Sequence, residues 1–564
     1  MRTLHRYAPP VATAAIELRL DRNEGRAPRG FPPPTPTPLE LGRYPDLGAL
    51  EREAVARFGI DASSILVTAG GDDALLRLCL AAAAPGARAL IASPTFEMIP
   101  RYAALAGLEL DEVNWPEGGF PTADFLAAVK LQTRLAFVVS PNNPTGAVAS
   151  GEDLTRISTT LAQVNPEATV VLDAAYAEFA DEDLTPLALT LPNVVVVRTL
   201  SKAWGLAGLR VGYALGPPEQ ISRLAAAGNP FPVSSASATA ALARLATGEA
   251  DLTNYVASAR RETARLTRLF EELGAQPARP SQANFILVRG LDSERFRDDL
   301  ASLGIGVRAF PGRAGLEDAV RIAVPGDPEE FARLERTIQT TLAPEAILFD
   351  LDGVLADVSG SYRAAILGVA LELGVELSRD EISAAKARGH SNDDWALTHR
   401  LLAARGVDIP LEEVTRRFER LYQGTEQTPG LCREERLLLS REQLVATAKR
   451  YRLGIVTGRP AADARAFLER FGISDLFESV VTREDAPLKP DPAPVRLALE
   501  QLGAQNAWMI GDTPDDLRAA RGAGVLPIGV VAPGTDPIRE QAVLLRSGAS
   551  QVLFCTENLL PLLP

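Results

Sequence analysis

With 564 residues the chain is too long for one ordinary core, and 46% hydrophobic with 23% charged residues is the composition of a soluble globular protein of roughly two to four domains. The net charge of −14 argues against a nucleic-acid binder and against docking on anionic membranes, yet leaves room for phosphorylated substrates held by local Arg and Lys. The three cysteines, Cys79, Cys432 and Cys555, have no metal-ligand spacing. No apolar run is long enough for a bilayer and the N-terminus is a poor signal peptide, so the expected setting is reduced and cytoplasmic.

Residues 1–42 are Pro-rich, with FPPPTPTP at Phe31–Pro38, and read as a stiff N-terminal arm. RYPD (Arg43–Asp46) then leads into a helical pattern through Phe58. From there apolar runs alternate with Ala/Leu-rich helical stretches: ARALIAS, RLAFVVS, ATVVLDA and NVVVVRT. The alternation predicts a largely parallel sheet with helices on both faces over residues 43–228. Residues 229–341, with strands at Asn284–Val288 and Val320–Val324, read as a smaller α+β domain. Past Leu342–Glu345 the pattern restarts as a second α/β unit, formed by 345–356 and 448–564. Its strands are expected in AILFDLDGVL, LGIVTGRP, ESVVTRED and AWMIGDTPDD. Residues 357–447, dense in Ala, Leu, Glu and Arg, predict a helical insertion.

The polar residues that stand out in the first unit follow directly on its apolar runs: Phe96, Asn143, Asp173 with Tyr176, and Lys202. Ligands of open α/β sheets bind at the carboxyl ends of the strands, so these runs point at one site. In RTLSKAWGLAGLRVGY (Arg198–Tyr213), Lys202 lies beside the hydroxyls of Thr199 and Ser201, with Arg210 after a Gly-rich turn. The amine can form a Schiff base with an aldehyde, while the hydroxyls and guanidinium can hold a phosphate of the same molecule. Pyridoxal 5′-phosphate has both groups. The stretch resembles the lysine motif of fold-type-I pyridoxal-phosphate aminotransferases, most closely the histidinol-phosphate aminotransferases, and the likeness covers about residues 15–340.

That resemblance implies a set of roles. Asp173 pairs with the pyridine nitrogen. Asn143, in PNNPTG, and Tyr176 bond the ring oxygen, and Phe96 stacks on the ring. The helix start GGDDALL, with Gly71 and Asp72, offers backbone N–H groups to the phosphate, completed by Ser201 and Arg210. LRLDRNEG places Asn23 on substrate, Tyr44 of RYPD reaches a partner subunit's cofactor, and Arg321 of VRIAV grips substrate anions with help from Arg308. A homodimer with shared sites follows. The chain departs from the family at Ala174, within Asp173–Tyr176, at Phe96 for a common Tyr, and at Trp204 for the usual Phe.

In the second unit, DLDGVL sets two carboxylates one residue apart on a loop leaving a strand. Asp350 could attack phosphorus while Asp352 protonates the leaving alkoxide and then activates water. Thr457 would bond phosphoryl oxygens, Lys489 would neutralise their charge, and Asp512 and Asp516 of GDTPDD would join Asp350 and Asp352 around a magnesium ion. The motif order resembles the haloacid-dehalogenase-like superfamily over about residues 345–555, and the second Asp implies phosphoryl chemistry. The insertion fills the superfamily's cap position, with KARGHSNDDWALTHR and its Arg388, His390, Asn392, Asp394, Trp395 and His399 as a recognition segment.

Together the halves imply two successive steps of histidine synthesis. Glutamate would aminate imidazole acetol phosphate to histidinol phosphate, which would then be hydrolysed to histidinol. The alternative is a phospho-amino-acid lyase, or another aminotransferase, fused to a phosphoglycolate-phosphatase-like hydrolase.

Overall fold

Val194–Val197 are β-branched and fully buried, and such residues pack well on a pleated surface covered on both faces. They open the strand Val194–Thr199, central to a seven-stranded sheet. The sheet order is Ile65–Thr68, Gly212–Leu215, Val194–Thr199, Thr169–Asp173, Thr133–Val139, Arg88–Ser93 and Glu109–Asn114. Gly212–Leu215 runs antiparallel to both neighbours, and the other pairs are parallel. This computed structural model describes residues 15–31, 34–278, 280–389 and 393–564.

Two units make up the chain. One comprises Arg19–Ser293 and Val307–Ala332, and the other Glu294–Gly306 and Arg333–Pro564 with residues 15–18. The first unit also holds a four-stranded antiparallel sheet, ordered Arg308–Ala309, Val320–Ala323, Phe285–Arg289 and Gln276–Pro277. One of its helices starts on a side-chain cap with both partners in place. Ser150 and Asp153 form a reciprocal capping box at Gly151–Val164. The helix Gly70–Ala81 follows directly on the strand Ile65–Thr68, so its N-terminus lies at a sheet end.

The second unit is built on a six-stranded parallel sheet, ordered Ser479–Val481, Arg452–Val456, Ala346–Phe349, Ala507–Gly511, Leu526–Val530 and Gln551–Leu553. Every residue of Ala346–Phe349 is 0% exposed, as a central strand requires. The insertion forms the helices Tyr362–Glu372, Arg379–Lys386, Asp394–Ala403 and Leu411–Gln423. It is entered and left through a two-stranded ribbon, Ala356–Asp357 against Arg436–Leu437.

Residues 294–306 and 333–342 complete this second unit. Trp508, fully buried, donates from Nε1 to the Thr340 carbonyl at 2.8 Å, and the Arg295 guanidinium lies 5.5 Å from its ring centroid. Leu303 packs in the same apolar cluster as Ile347 and Phe349. Among the described residues no helix is long and apolar enough to cross a membrane.

Candidate active sites

At the carboxyl ends of the first sheet, one cavity is lined by Gly71, Asp72, Phe96, Asn143, Asp173, Tyr176, Thr199, Ser201, Lys202 and Arg210. Asp173 ends its strand and is 5% exposed. Its Oδ1 accepts from the Ala175 N–H at 3.1 Å, and burial pushes its carboxyl up to about 6. A positive group at the cavity floor would relieve that burial. The protonated ring nitrogen of pyridoxal phosphate is such a group, so the residues present fit the cofactor.

The Lys202 amine donates to the Asn23 carbonyl at 2.8 Å and lies 5.5 Å from the Tyr176 ring centroid. Asn23 adopts φ 53°, and its Nδ2 donates to the Tyr176 hydroxyl at 3.2 Å. Arg210, at φ 54°, donates to Ser201 Oγ at 3.2 Å and pairs with Asp72 at 2.9 Å. Thr199 Oγ1 donates to Ser201 Oγ at 3.0 Å. Gly70 has φ +76°, and a Cβ there would meet Arg210 Nη2 at 2.8 Å, so the bare backbone lets the guanidinium approach the helix start. Tyr102, absent from the sequence reading, donates to Asp72 Oδ1 at 3.1 Å.

The outlying residues fall less evenly. Arg321 donates to Asn143 Oδ1 at 2.7 Å and to the Asp21 carbonyl at 2.8 Å, which puts it on the cavity's border. Arg308 is paired with Glu97 at 3.2 Å and does not line the cavity. Tyr44 is 80% exposed, stacks on Phe231 at 4.5 Å between ring centroids, and also lies off the cavity.

In the second unit Asp350, Asp512 and Asp516 bring carboxylate oxygens within 4.8 Å of one another. Lys489 Nζ lies 2.9 Å from Asp350 and 2.6 Å from Asp516. Although burial disfavours its charge, these two carboxylates hold the ammonium above its usual range. Burial, opposed by Lys489 and reinforced by Asp516 and Asp352, pushes Asp350 up to about 7. Burial, then Asp516 and Asp350, pushes Asp512 well above the carboxylate range. Three carboxylates against one ammonium leave two negative charges when all are ionised. The donor set is all oxygen, so the site fits a hard divalent cation such as magnesium.

The backbone holds this cluster tightly. Asp516 Oδ2 accepts from Thr513 N at 2.9 Å, closing a capping box at Pro514–Ala523. Gly353 has φ +75°, and a Cβ there would come within 2.3 Å of Asp512 Oδ2. Thr457, 5% exposed, accepts from the Arg459 N–H at 3.2 Å.

One expected ligand lies outside the acid cluster. The Asp352 side chain turns to Arg459, whose Nε donates to its Oδ1 at 2.6 Å, because a fully buried guanidinium needs a carboxylate partner. Arg459 and its second partner, Glu435, were not singled out in the sequence. The only clue was an Arg two residues beyond Thr457.

The cap segment divides. Asp394 is buried and pairs with Lys386 at 3.0 Å, and Lys386 feels the charges of Asp512 and Asp352. Trp395 donates to Glu419 at 2.9 Å, His399 Nε2 lies 3.0 Å from the Ile409 carbonyl, and Arg388 is exposed. His390 and Asn392 lie outside the described residues.

Residues 39–338 match the family "Aminotransferase class I and II", and residues 344–524 match "haloacid dehalogenase-like hydrolase". A histidinol-phosphate aminotransferase of Erythrobacter litoralis is 34% identical over 59% of this chain and 94% of its own length. Relatives named aromatic amino acid aminotransferase reach 38% identity. A Phytophthora nicotianae protein named imidazoleglycerol-phosphate dehydratase is 44% identical over 37% of this chain, which spans 50% of that relative's length. The crystal structure of the histidinol-phosphate aminotransferase from Clostridium acetobutylicum superposes with a TM-score of 0.50 at 19% identity, covering 57% of this chain and 98% of that one, a likeness of fold alone.

Proposed function

The chain belongs to the class I and II aminotransferases and continues into a haloacid dehalogenase-like hydrolase domain, and from that premise we propose that it carries out two successive steps of histidine synthesis. The first half transfers an amino group from glutamate to imidazole acetol phosphate, giving histidinol phosphate and 2-oxoglutarate. The second half hydrolyses histidinol phosphate to histidinol. One observation carries the reading. The chain that sets Lys202 and Asp173 on one cavity also gathers Asp350, Asp512 and Asp516 beside Lys489, and the product class of the first chemistry, a phosphomonoester, is the substrate class of the second. Relatives named for histidinol phosphate and for imidazoleglycerol phosphate support the imidazole-bearing substrate.

In the first half, pyridoxal phosphate supplies the aldehyde that carries the amino group and a ring that accepts electrons. Asp173 keeps the ring nitrogen protonated. Ser201, Thr199, Arg210 and the helix start at Gly71 and Asp72 hold the phosphate, while Phe96 covers one ring face and Asn143 and Tyr176 bond the ring oxygen. Lys202 Nζ takes and returns the proton at the substrate's α carbon. Asn23 and Arg321 orient the substrate, and the Arg321 fork accepts either a carboxylate or a phosphate. Arg308 joins in where a substrate anion displaces Glu97. Exposed Tyr44 is assigned to a second copy of the chain, in a homodimer.

In the second half, Asp350, Asp512 and Asp516 would hold a magnesium ion, which would offset their mutual repulsion and that of the incoming phosphate. Asp350 attacks phosphorus, the ester P–O bond breaks, and Asp352 gives its proton to the departing oxygen. Asp352 then takes a proton from water as water cleaves the aspartyl-phosphate. Thr457 and Lys489 hold the phosphoryl oxygens. We place both steps in the cytoplasm, in keeping with three free cysteines.

The test supplies purified chain with pyridoxal phosphate, magnesium, glutamate and imidazole acetol phosphate, and follows histidinol and inorganic phosphate. Both should accumulate. If neither histidinol phosphate nor histidinol forms, the reading is wrong. The 38% identity to aromatic amino acid aminotransferases favours a second reading, with an aromatic 2-oxo acid as acceptor. Faster turnover of phenylpyruvate than of imidazole acetol phosphate would select it.

A further inference from the structure

Arg459 is 1% exposed and sits just past Thr457, on the loop leaving the strand Arg452–Val456. Its Nε and Nη2 lie 2.6 and 2.5 Å from Asp352, both on Oδ1. Its other edge makes a two-pronged contact with Glu435, Nη1 to Oε2 at 3.1 Å and Nη2 to Oε1 at 3.0 Å. Glu435, 3% exposed, is held in turn. Ser361 Oγ donates to its Oε1 at 2.8 Å, and the Tyr422 hydroxyl donates to the same oxygen at 3.1 Å. The Tyr362 ring centroid lies 4.9 Å from the guanidinium carbon. Glu435 immediately precedes the ribbon strand Arg436–Leu437, where the cap rejoins the core.

This network is too buried to be an incidental surface pair, and a buried ion cluster is a poor way to gain stability alone. Its geometry is specific. Glu435 takes one full edge of the guanidinium, so Asp352 receives only the remaining donors, on a single oxygen. The backbone N–H of Arg459 donates to Thr457 Oγ1 at 3.2 Å. We propose that Arg459 is a positioning residue of the phosphoryl half, fixing the direction of the Asp352 carboxyl group, and that Glu435 at the root of the cap holds Arg459 to that direction. The proposal rests on the phosphatase reading given above.

Without the Glu435 charge, the freed guanidinium edge can swing onto both oxygens of Asp352 and rotate it. The transfer at stake is the Asp352 O–H proton moving to the ester oxygen as the P–O bond breaks and the Asp350 O–P bond forms. A misplaced acid costs most where the leaving oxygen is most basic. An alkoxide must be protonated, whereas p-nitrophenolate leaves without a proton.

The experiment compares kcat of the full chain on histidinol phosphate and on p-nitrophenyl phosphate for wild type, Glu435→Gln, Glu435→Asp and Tyr422→Phe. Glu435→Gln should lose on the order of 10²-fold on the alkyl ester, the scale of an ångström's misplacement, and less than about 3-fold on the aryl ester. Glu435→Asp should recover part of the alkyl activity, and Tyr422→Phe should shift the ratio in the same direction by a smaller factor. Aryl turnover reports that each variant is folded. Equal losses on both esters across the three variants, or no loss on either, would overturn the proposal. A wild type that releases phosphate from neither ester would overturn the phosphatase reading, and this proposal with it.

Discussion

The two sites solve opposite electrostatic problems. The first is spread over many segments, from Asn23 to Arg321, and is held by hydrogen bonds in which formal charges are already matched or kept apart: Arg210 with Asp72, Lys202 on a carbonyl, Arg321 on an amide oxygen. Its Asp173 carboxyl, raised by burial, is the group that a positive charge would favour. The second is concentrated, with three carboxylates gathered within 4.8 Å of one another and Lys489 paired to two of them. A distributed site with its charges paired suits an organic cofactor, whereas a concentrated acidic one suits a cation.

That contrast can be broken at its strongest point first. Asp350→Asn should lower phosphate release by at least about 10³-fold, as removal of a nucleophile does, and leave amino transfer within about 2-fold. Lys202→Ala should do the reverse, again by at least about 10³-fold on its own reaction. A single preparation assayed for both products checks both, and cross-inhibition would mean the sites are not independent. Chelation of divalent cations should abolish phosphate release while amino transfer persists. Equal activity before and after chelation would remove the cation from the second site.

A smaller effect sharpens the comparison. An unfolded Asp ionises near about 3.9, and buried Asp173 holds its proton up to about 6. Between these values the folded chain binds more protons than the unfolded one, so cofactor-free stability falls as pH rises through this window. The loss is complete above about 6 and amounts to ~3 kcal/mol at pH 7. Asp173→Asn should therefore raise the melting temperature of the cofactor-free chain at pH 7 but not near pH 4, while weakening pyridoxal phosphate binding. An unchanged melting temperature at pH 7 would show that Asp173 already has a counter-charge. Smallest of all, Arg321→Lys should raise KM for the anionic substrate about 10-fold with kcat nearly unchanged, because an ammonium cannot reproduce the fork.

Much of the fold was legible because buried parallel strands announce themselves. ARALIAS, RLAFVVS, ATVVLDA and NVVVVRT became Arg88–Ser93, Thr133–Val139, Thr169–Asp173 and Val194–Thr199. Two of the strands that escaped notice have reasons to hide. Glu109–Asn114, at the sheet's edge, buries only Val113 and carries three acids, the kind of edge that resists pairing with another chain. Leu526–Val530 contains Pro527 and Gly529, both poor strand signals.

The sites show the same division. Residues on strand ends, such as Asp173, Lys202 and Asp350, could be read from their local runs. Arg459 with Glu435, and Tyr102 on Asp72, could not, since their partners are distant in sequence: 24 residues in one case and 30 in the other. Asp352 was expected among the cation ligands as well as in acid/base work, and the fold brings its side chain onto the Arg459 guanidinium.

The way Trp508 is roofed by Thr340 and Arg295 bears on how this polypeptide can be divided. A hydrolase expressed from Glu345 onward would lack Leu303, Arg295 and Thr340, leaving a large indole without its cover and a polar N–H without its acceptor. Such a fragment should be sticky and short-lived, whereas one that also supplies 294–306 and 333–344 as a separate peptide should be rescued. Gene fission at the apparent linker would thus demand repair of the cover over Trp508.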